Sequence, residues 1–159
     1  MSIVSDIEKL KKEKNAVILA HYYVDDDVQD VADYIGDSFY LSKVATKVSQ
    51  DRIIFAGVEF MGESAKILNP EKRVFMPDIN ADCPMAHMAD KDEILKLREQ
   101  YDDLAVVCYI NSTAELKKYS DVCVTSSNAV KIVKNLPNKN IFFIPDRNLG
   151  HFVAKQCPD

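Results

Sequence analysis

Short apolar runs, rich in β-branched residues, alternate along this chain with segments of mixed polar and apolar character. The runs are nearly continuous in apolar residues, which is typical of parallel strands that helices cover on both faces. Each run is therefore predicted to form a strand. The predicted strands are AVILAHYY (16–23), RIIFAGV (52–58), RVFMPD (73–78), LAVVCYI (104–110), DVCVT (121–125) and IFFIPD (141–146).

The segments between the runs show helical patterns, and the charged N-terminal segment 1–14 predicts a short amphipathic helix. Alternating strands and helices indicate the α/β class, with a parallel sheet between two layers of helices. The other predicted helices are VQDVADYI (28–35), FYLSKVATKV (39–48), FMGESAKIL (60–68), DEILKLREQY (92–101), STAELKKY (112–119), NAVKIVKNL (128–136) and NLGHFVAKQ (148–156).

The second half of the chain repeats the first at an offset of 86 to 89 residues. An internal repeat of this length predicts a duplicated supersecondary unit. We predict one three-layer αβα repeat over residues 1–86, which contains Cys83, and a second repeat over residues 87–159, incomplete at its C-terminus. The corresponding positions are Tyr23 and Tyr109, Asp33 and Asp121, Ser38 and Ser126, and the segments 55–66 and 143–155.

Composition narrows the classes of function. The chain has 159 residues and a formal net charge of −5, with acidic and basic residues interspersed. This distribution disfavours nucleic-acid binding through a basic face. The apolar stretches fall short of the roughly 20 residues that a membrane-spanning helix needs. Four cysteines in a chain with no export signal predict a reducing cytoplasm.

Candidate site residues lie where the predicted strands end. In α/β folds, ligands bind outside the carboxyl ends of the strands. Most of the side chains found there are polar or thiol-bearing, and nearly every such position occurs in both repeats. The candidates are His21, Tyr23, Ser38, Cys83, Tyr109, Ile110, Asn111 and Ser126.

Several of these residues also have a purely structural interpretation. His21 is equally consistent with a buried, hydrogen-bonded histidine, and Tyr23 and Tyr109 with core aromatics that have one edge in water. Ser38 and Ser126 are predicted to be helix N-caps, because serine before a helical run satisfies free backbone N–H groups. The cap interpretation is compatible with binding a phosphate or carboxylate, since the same N–H groups favour anions.

The cysteines separate into two kinds. Cys108 and Cys123 lie inside apolar strands, and we interpret them as packing residues. Cys83 lies in a strand-end loop before Pro84, where a thiolate can face a cleft. The sequence has neither a CxxC nor a His-x-x-x-His spacing, so it encodes no closed mononuclear metal site. One thiol from each repeat is still able to contribute to a shared metal site.

Several motifs, taken together and in order, resemble the quinolinate synthase family of de novo NAD biosynthesis. The resemblance implies condensation of iminoaspartate with dihydroxyacetone phosphate to quinolinate, with release of phosphate and water. It also implies three related αβα domains about a pseudo-threefold axis and a [4Fe–4S] cluster held by one cysteine per domain. The motifs are ILAHYY, DVADYIGDS, ADCPM, CYINSTAE, VTSSNAV and PDRNLGHFVAK.

The resemblance also implies roles for the candidate residues. Cys83 matches the first cluster cysteine, and the residues matching catalytic or substrate-contacting positions are His21, Tyr23 and Tyr109. Further substrate contacts are implied for Ser38, Ile110, Asn111 and Ser126.

The chain spans about half of the family's length, so we expect the third unit and the other cluster cysteines to lie beyond Asp159. The isolated chain is accordingly expected to be inactive. L-aspartate oxidase or aspartate dehydrogenase is the expected upstream partner in the pathway.

Two other classes of function remain open. One is a module that binds a phosphorylated metabolite through Ser38 and Ser126 without catalysis. The other is a receiver-like signalling domain, because Asp25, Asp26 and Asp27 follow the first predicted strand as an acidic metal pocket would.

Overall fold

Parallel strands form two separate sheets in the computed structural model, which describes residues 2–157. The contacts divide the chain into two units, Met1–Asp82 and Cys83–Asp159. Both units alternate strands with helices, so the predicted α/β class is confirmed. This division places Cys83 at the start of the second unit, whereas the sequence repeat placed it in the first.

The first unit has a four-stranded parallel sheet in the order β2-β1-β3-β4. Its strands are β1 (Ala16–His21), β2 (Tyr34–Gly36), β3 (Arg52–Ala56) and β4 (Arg73–Phe75). Its helices are α1 (Ile3–Glu13), α2 (Asp26–Gln29), α3 (Ser38–Ala45) and α4 (Glu59–Leu68).

The second unit has a three-stranded parallel sheet in the order β6-β5-β7. This order matches β2-β1-β3 of the first unit, so the sequence repeat corresponds to a repeated arrangement of strands. The strands are β5 (Leu104–Tyr109), β6 (Val122–Val124) and β7 (Asn140–Ile144). The helices are α5 (Lys91–Gln100), α6 (Ala114–Lys118), α7 (Ala129–Val133) and α8 (Arg147–Gln156), preceded by a 3₁₀ turn at Pro84–His87.

The central strands β1 and β5 are almost entirely apolar and buried, as expected where helices cover both faces of a sheet. On β5, Val106 and Cys108 pack on one face with Ile94 of α5. Val107 points the other way and packs with Val153 of α8. Successive side chains of a strand point to opposite faces, so a strand covered on both sides has no polar face. Within residues 2–157, every helix is too short or too polar to cross a membrane.

The predicted helix VQDVADYI (28–35) is wrong in its second half. The helix α2 ends at Gln29, and Tyr34–Gly36 is the edge strand β2. The cause is Asp33, whose carboxylate accepts a hydrogen bond of 2.8 Å from the backbone N–H of Ile18. The N–H of Asp33 donates to the carbonyl of Ile18 at 2.9 Å. These two bonds bring the chain alongside β1 and start a new strand.

Candidate active site

His21 is the last residue of β1, and one nitrogen of its ring accepts a hydrogen bond. Its Nδ1 accepts a hydrogen bond of 3.3 Å from the backbone N–H of Tyr23. In the neutral imidazole, one nitrogen accepts and the other carries the proton. The proton therefore lies on Nε2, which is left as a donor. The ring of Tyr23 packs edge-on against the imidazole, with 4.7 Å between the ring centroids.

The environment of His21 favours its neutral form. Burial lowers the pKa of His21 below its ordinary value, and the nearby carboxylate of Asp37 only partly opposes this effect. Desolvation disfavours the imidazolium because a cation loses hydration when it is buried. At neutral pH the side chain therefore presents an uncharged ring with a proton on Nε2. By contrast, the side chain of Tyr23 is 93% exposed, so it is not a core aromatic.

Ser38 is the first residue of α3 and not its N-cap, which corrects the prediction. The cap is Asp37, whose carboxylate accepts a hydrogen bond of 2.7 Å from the N–H of Tyr40. Aspartate is as good a cap as serine, and its charge favours the helix N-terminus. A second anion at this helix start meets the negative charge of Asp37. Ser38 is half-buried and offers a hydroxyl beside that carboxylate.

Tyr109, Ile110 and Asn111 are half-buried where β5 ends, as the sequence predicted. The Oδ1 atom of Asn111 is buried and has no hydrogen-bond partner among the described residues. A buried polar atom without a partner is costly, and native structures contain few of them. This atom can therefore accept a hydrogen bond from a bound ligand. Beside it, the hydroxyl of Ser112 donates to the carbonyl of Tyr109 at 2.8 Å.

Ser126 is exposed in the loop between β6 and α7 and does not cap the helix. Asn128 occupies the cap position, and its side-chain oxygen accepts a hydrogen bond of 2.7 Å from the N–H of Thr125. The hydroxyls of Thr125 and Ser127 are 2.9 Å apart. The cap position of α7 therefore lies two residues beyond Ser126. The loop presents hydroxyl groups, but Ser126 is not a helix cap.

Cys83 lies, as predicted, in a loop after the last strand of the first sheet. It is half-buried and immediately precedes the 3₁₀ turn, with the N–H of Ala86 donating to its carbonyl at 2.9 Å. The thiol suits one ligand position of an iron–sulfur cluster. In the described part of the chain, no group of three or more His, Cys, Asp or Glu side chains could hold a metal ion. The described residues thus supply one candidate ligand, and the run Asp25, Asp26 and Asp27 forms no acidic metal pocket.

Cys108 is buried, as expected of a packing residue, but Cys123 is exposed. The interpretation of Cys123 as a packing residue is therefore wrong. Its strand β6 is an edge strand of only three residues. An edge strand has a neighbour on one side only, so its side chains are more easily left uncovered.

Two features of the site were missed from the sequence. Asp37 could have been found, because an aspartate directly before a helical pattern is a strong cap signal. The unpartnered oxygen of Asn111 could not, because burial of a single atom depends on how the loop after β5 folds back.

Parallel αβα units with hydrogen-bonding side chains at the carboxyl ends of their strands place the chain among the α/β proteins that bind ligands at those strand ends. The chain belongs to the family described as "Quinolinate synthetase A protein", whose family model matches residues 5–159.

Curated relatives named quinolinate synthase agree with this assignment. The chain is 67% identical over 150 residues to the protein of Fusobacterium nucleatum. The matched segment covers 94% of this chain and 50% of that relative. It is 55% identical to the protein of Caldicellulosiruptor saccharolyticus, over 99% of this chain and 52% of the relative. It is 56% identical to the protein of Clostridioides difficile, over 96% of this chain and 50% of the relative. The chain therefore spans about half the length of these relatives.

Proposed function

We propose that this chain supplies part of a cytoplasmic quinolinate synthase of de novo NAD biosynthesis. The proposed reaction condenses iminoaspartate with dihydroxyacetone phosphate to quinolinate, with release of phosphate and water. The observation that carries the proposal is the family match over residues 5–159. Candidate residues at the strand ends of both units support it, because the reaction needs proton transfer and several polar contacts.

His21 is proposed to move a proton. Its ordinary pKa lies near neutrality, and general acid–base catalysis is most effective there. The neutral ring is oriented by the N–H of Tyr23 on Nδ1, so Nε2 is the nitrogen that donates to substrate. Tyr23 is exposed beside this ring, where its hydroxyl is accessible to a bound molecule. We assign both residues to the catalytic group, together with Tyr109.

Asn111 is proposed to bind the substrate through its buried oxygen. Iminoaspartate offers an N–H donor and dihydroxyacetone phosphate offers a hydroxyl donor, and either satisfies an acceptor that otherwise has no partner. Ile110 precedes Asn111, and we assign it the apolar contact of the same segment. Ser38 and Ser126 are proposed to donate their hydroxyls to the carboxylate or phosphate groups.

Cys83 is proposed to be one thiolate ligand of a [4Fe–4S] cluster. When bound, such a cluster with an open iron position supplies a Lewis acid that polarises a substrate oxygen. The upstream partner is proposed to be L-aspartate oxidase or aspartate dehydrogenase, because iminoaspartate arises by oxidation of the amine of aspartate.

A chimera tests the proposed function. This chain replaces the matching half of the Fusobacterium relative, and quinolinate formation is measured anaerobically after cluster reconstitution. We expect activity from the chimera and loss of both activity and cluster absorbance in its Cys83→Ala variant. The matched control is Cys108→Ala, which is expected to lower stability but to keep the cluster. A folded chimera with a cluster but no quinolinate, or equal loss in both variants, contradicts the proposal.

The 159-residue chain alone serves as a second arm of this experiment. We expect it to hold no stable cluster and to form no quinolinate, because it carries one candidate cluster ligand in the described residues. Calorimetry with dihydroxyacetone phosphate on the same sample distinguishes the non-catalytic alternative. Binding by the chain alone, combined with an inactive chimera, favours a module that only binds a phosphorylated metabolite.

A further inference from the structure

Cys108 and Cys123 lie directly opposite each other on the neighbouring strands β5 and β6. Neighbouring strands are about 4.8 Å apart, and disulfides join residues whose Cα atoms are about 4.4–6.8 Å apart. Paired residues of parallel strands point to the same face of the sheet, so both thiols lie on the same face at neighbouring positions. The pair therefore meets the distance requirement for a disulfide without a change of strand register.

The two sulfurs differ in their access to solvent. Cys108 is 0% exposed and packs with Ile94 and Leu116, whereas Cys123 is exposed on the edge strand. A reagent in solution can therefore reach the sulfur of Cys123 but not that of Cys108. The buried thiol is held where it can react only with its neighbour.

The surroundings favour one negative charge on the pair. The neighbouring thiol of Cys123 lowers the pKa of Cys108 more than burial raises it, and the nearby Ser112, Ser120 and Lys117 side chains add to the lowering. The neighbouring sulfur of Cys108 and burial both raise the pKa of Cys123. The hydroxyls of Ser112 and Ser120 donate to backbone carbonyls at 2.8 Å, and they can rotate towards a sulfur that becomes charged.

A proton shared between two thiols belongs to the pair. Its transfer from Cys123 to Cys108 places the charge on the exposed sulfur, and the thiolate is the reactive form of cysteine.

We propose that Cys108 and Cys123 form an oxidation site at which hydrogen peroxide makes a reversible disulfide within the second unit. The thiolate of Cys123 attacks a peroxide oxygen, the O–O bond breaks, and a sulfenic acid forms while hydroxide leaves and takes up a proton. The sulfur of Cys108 then attacks that of Cys123, the S–O bond breaks, and a second water is released. The two sulfurs lose two electrons and the peroxide is reduced to two waters.

The disulfide also changes the contact to a proposed catalytic residue. In the reduced state the thiol of Cys108 donates to the carbonyl of Tyr109 at 3.5 Å. Oxidation removes this donor at the residue directly before Tyr109. Because Cys83 is not involved in the step, the proposal stands independently of the proposed cluster and reaction.

Peptide mapping of the 159-residue chain tests the proposal. The reduced protein is treated with hydrogen peroxide, its remaining thiols are alkylated, and it is digested with trypsin. Cleavage after Arg98, Lys117, Lys118 and Lys131 places Cys108 in peptide 99–117 and Cys123 in peptide 119–131. We expect these two peptides to be joined, with loss of the mass of two hydrogen atoms and full reversal by dithiothreitol.

Two variants sharpen the result. Cys123→Ser is expected to leave Cys108 as a thiol after peroxide treatment, because Cys108 is inaccessible. Cys108→Ser is expected to accumulate a sulfenic acid at Cys123, which dimedone traps. Far-UV circular dichroism first establishes that each variant is folded. If Cys108→Ser does not fold, the Cys123→Ser variant still tests the proposal, because its substitution lies at an exposed position. Absence of the joined peptides in the native chain, or linkage of Cys123 to Cys83 or Cys157 instead, overturns the proposal.

Discussion

Two aspartates at corresponding positions hold the edge strand of each sheet against its neighbour. Asp121 accepts a hydrogen bond of 2.7 Å from the N–H of Val106, and its own N–H donates to the carbonyl of Val106. Its carboxylate also contacts Arg98 at 2.8 Å. Asp33 makes the same pair of backbone bonds to the first strand, with Lys11 as the cation at 2.9 Å. In each unit, the aspartate side chain thus provides an acceptor that a backbone carbonyl of a neighbouring strand would otherwise provide.

Asp121→Ala is expected to destabilise the protein by about 1–3 kcal/mol, because the buried N–H of Val106 loses its acceptor. The partly exposed ion pair to Arg98 adds little. Asp121→Asn keeps an oxygen acceptor and is expected to cost less. Urea denaturation measures both, with the exposed Asp102→Ala as the control. Equal losses for Asp121→Ala and Asp102→Ala contradict the role of Asp121 as an acceptor.

His21 is expected to make stability depend on pH. Its folded-state pKa is lowered by burial, so the unfolded chain binds more protons in the interval between the two pKa values. Stability is therefore lost as the pH falls from the ordinary pKa of histidine through the lowered one, and is fully present above this interval. The urea concentration at the midpoint of unfolding, measured between about pH 5 and 8, should decrease as the pH falls.

His21→Asn is the matched variant for this measurement. The side-chain oxygen of asparagine can accept from the N–H of Tyr23, but the residue does not titrate. The pH dependence of the midpoint is expected to become shallower in this variant. A histidine resonance that disappears in His21→Asn and titrates at or above the ordinary value contradicts the assignment of a buried, neutral ring.

Glycines at corresponding positions bring a helix close to its sheet in both units. In α8, a Cβ on Gly150 would lie 3.1 Å from Cδ1 and 3.2 Å from Cβ of Phe143 on β7. In α4, a Cβ on Gly62 would overlap the sulfur of Met76. The contacting atoms differ in one respect: a strand fixes the Cβ of Phe143, whereas the thioether of Met76 is the far end of a flexible side chain.

Gly150→Ala and Gly62→Ala are therefore expected to differ in sign. Alanine gains about 1 kcal/mol over glycine within a helix, and overpacking a rigid contact costs about 1–3 kcal/mol. Gly150→Ala should lower stability by about 1 kcal/mol, because α8 must move away from β7. Gly62→Ala should be neutral or stabilising, because Met76 can move. Thermal unfolding of both variants decides this, and a stabilising Gly150→Ala shows that α8 tolerates the extra methyl group.

The missed edge strand β2 marks the limit of pattern reading at the scale of elements. Its counterpart β6 was predicted, because DVCVT is a short run of mostly β-branched and apolar residues. The segment VQDVADYI, which contains the start of β2, also fits a helical period. Position 33 decides between the two, through a long-range bond from Asp33 to Ile18. A contact between residues distant in sequence overrode the local pattern, and the repeated aspartate was the signal that could have indicated it.

At the scale of the whole chain, the internal repeat carried most of what could be predicted. Six strands, the α/β class and the strand-end position of His21, Tyr109 and Cys83 follow from apolar runs and the offset between them. The helix caps did not follow, because more than one residue of a good capping type lies near each helix start. Asp37 caps α3 by accepting from the N–H of Tyr40, whereas Asn128 stands at the cap position of α7 with its side-chain oxygen bonded to the loop N–H of Thr125.

Duplication explains why the two units present different chemistry at the same place. The strand order β2-β1-β3 recurs as β6-β5-β7, so β1 and β5 end at equivalent positions. At β1 the end carries His21, an imidazole whose ring is oriented by a backbone N–H. At β5 the equivalent end residue is Tyr109, and Asn111, two residues further on, carries a buried acceptor oxygen. A repeated scaffold thus fixes where side chains are displayed, while the residue at each strand end determines which chemical group is displayed there.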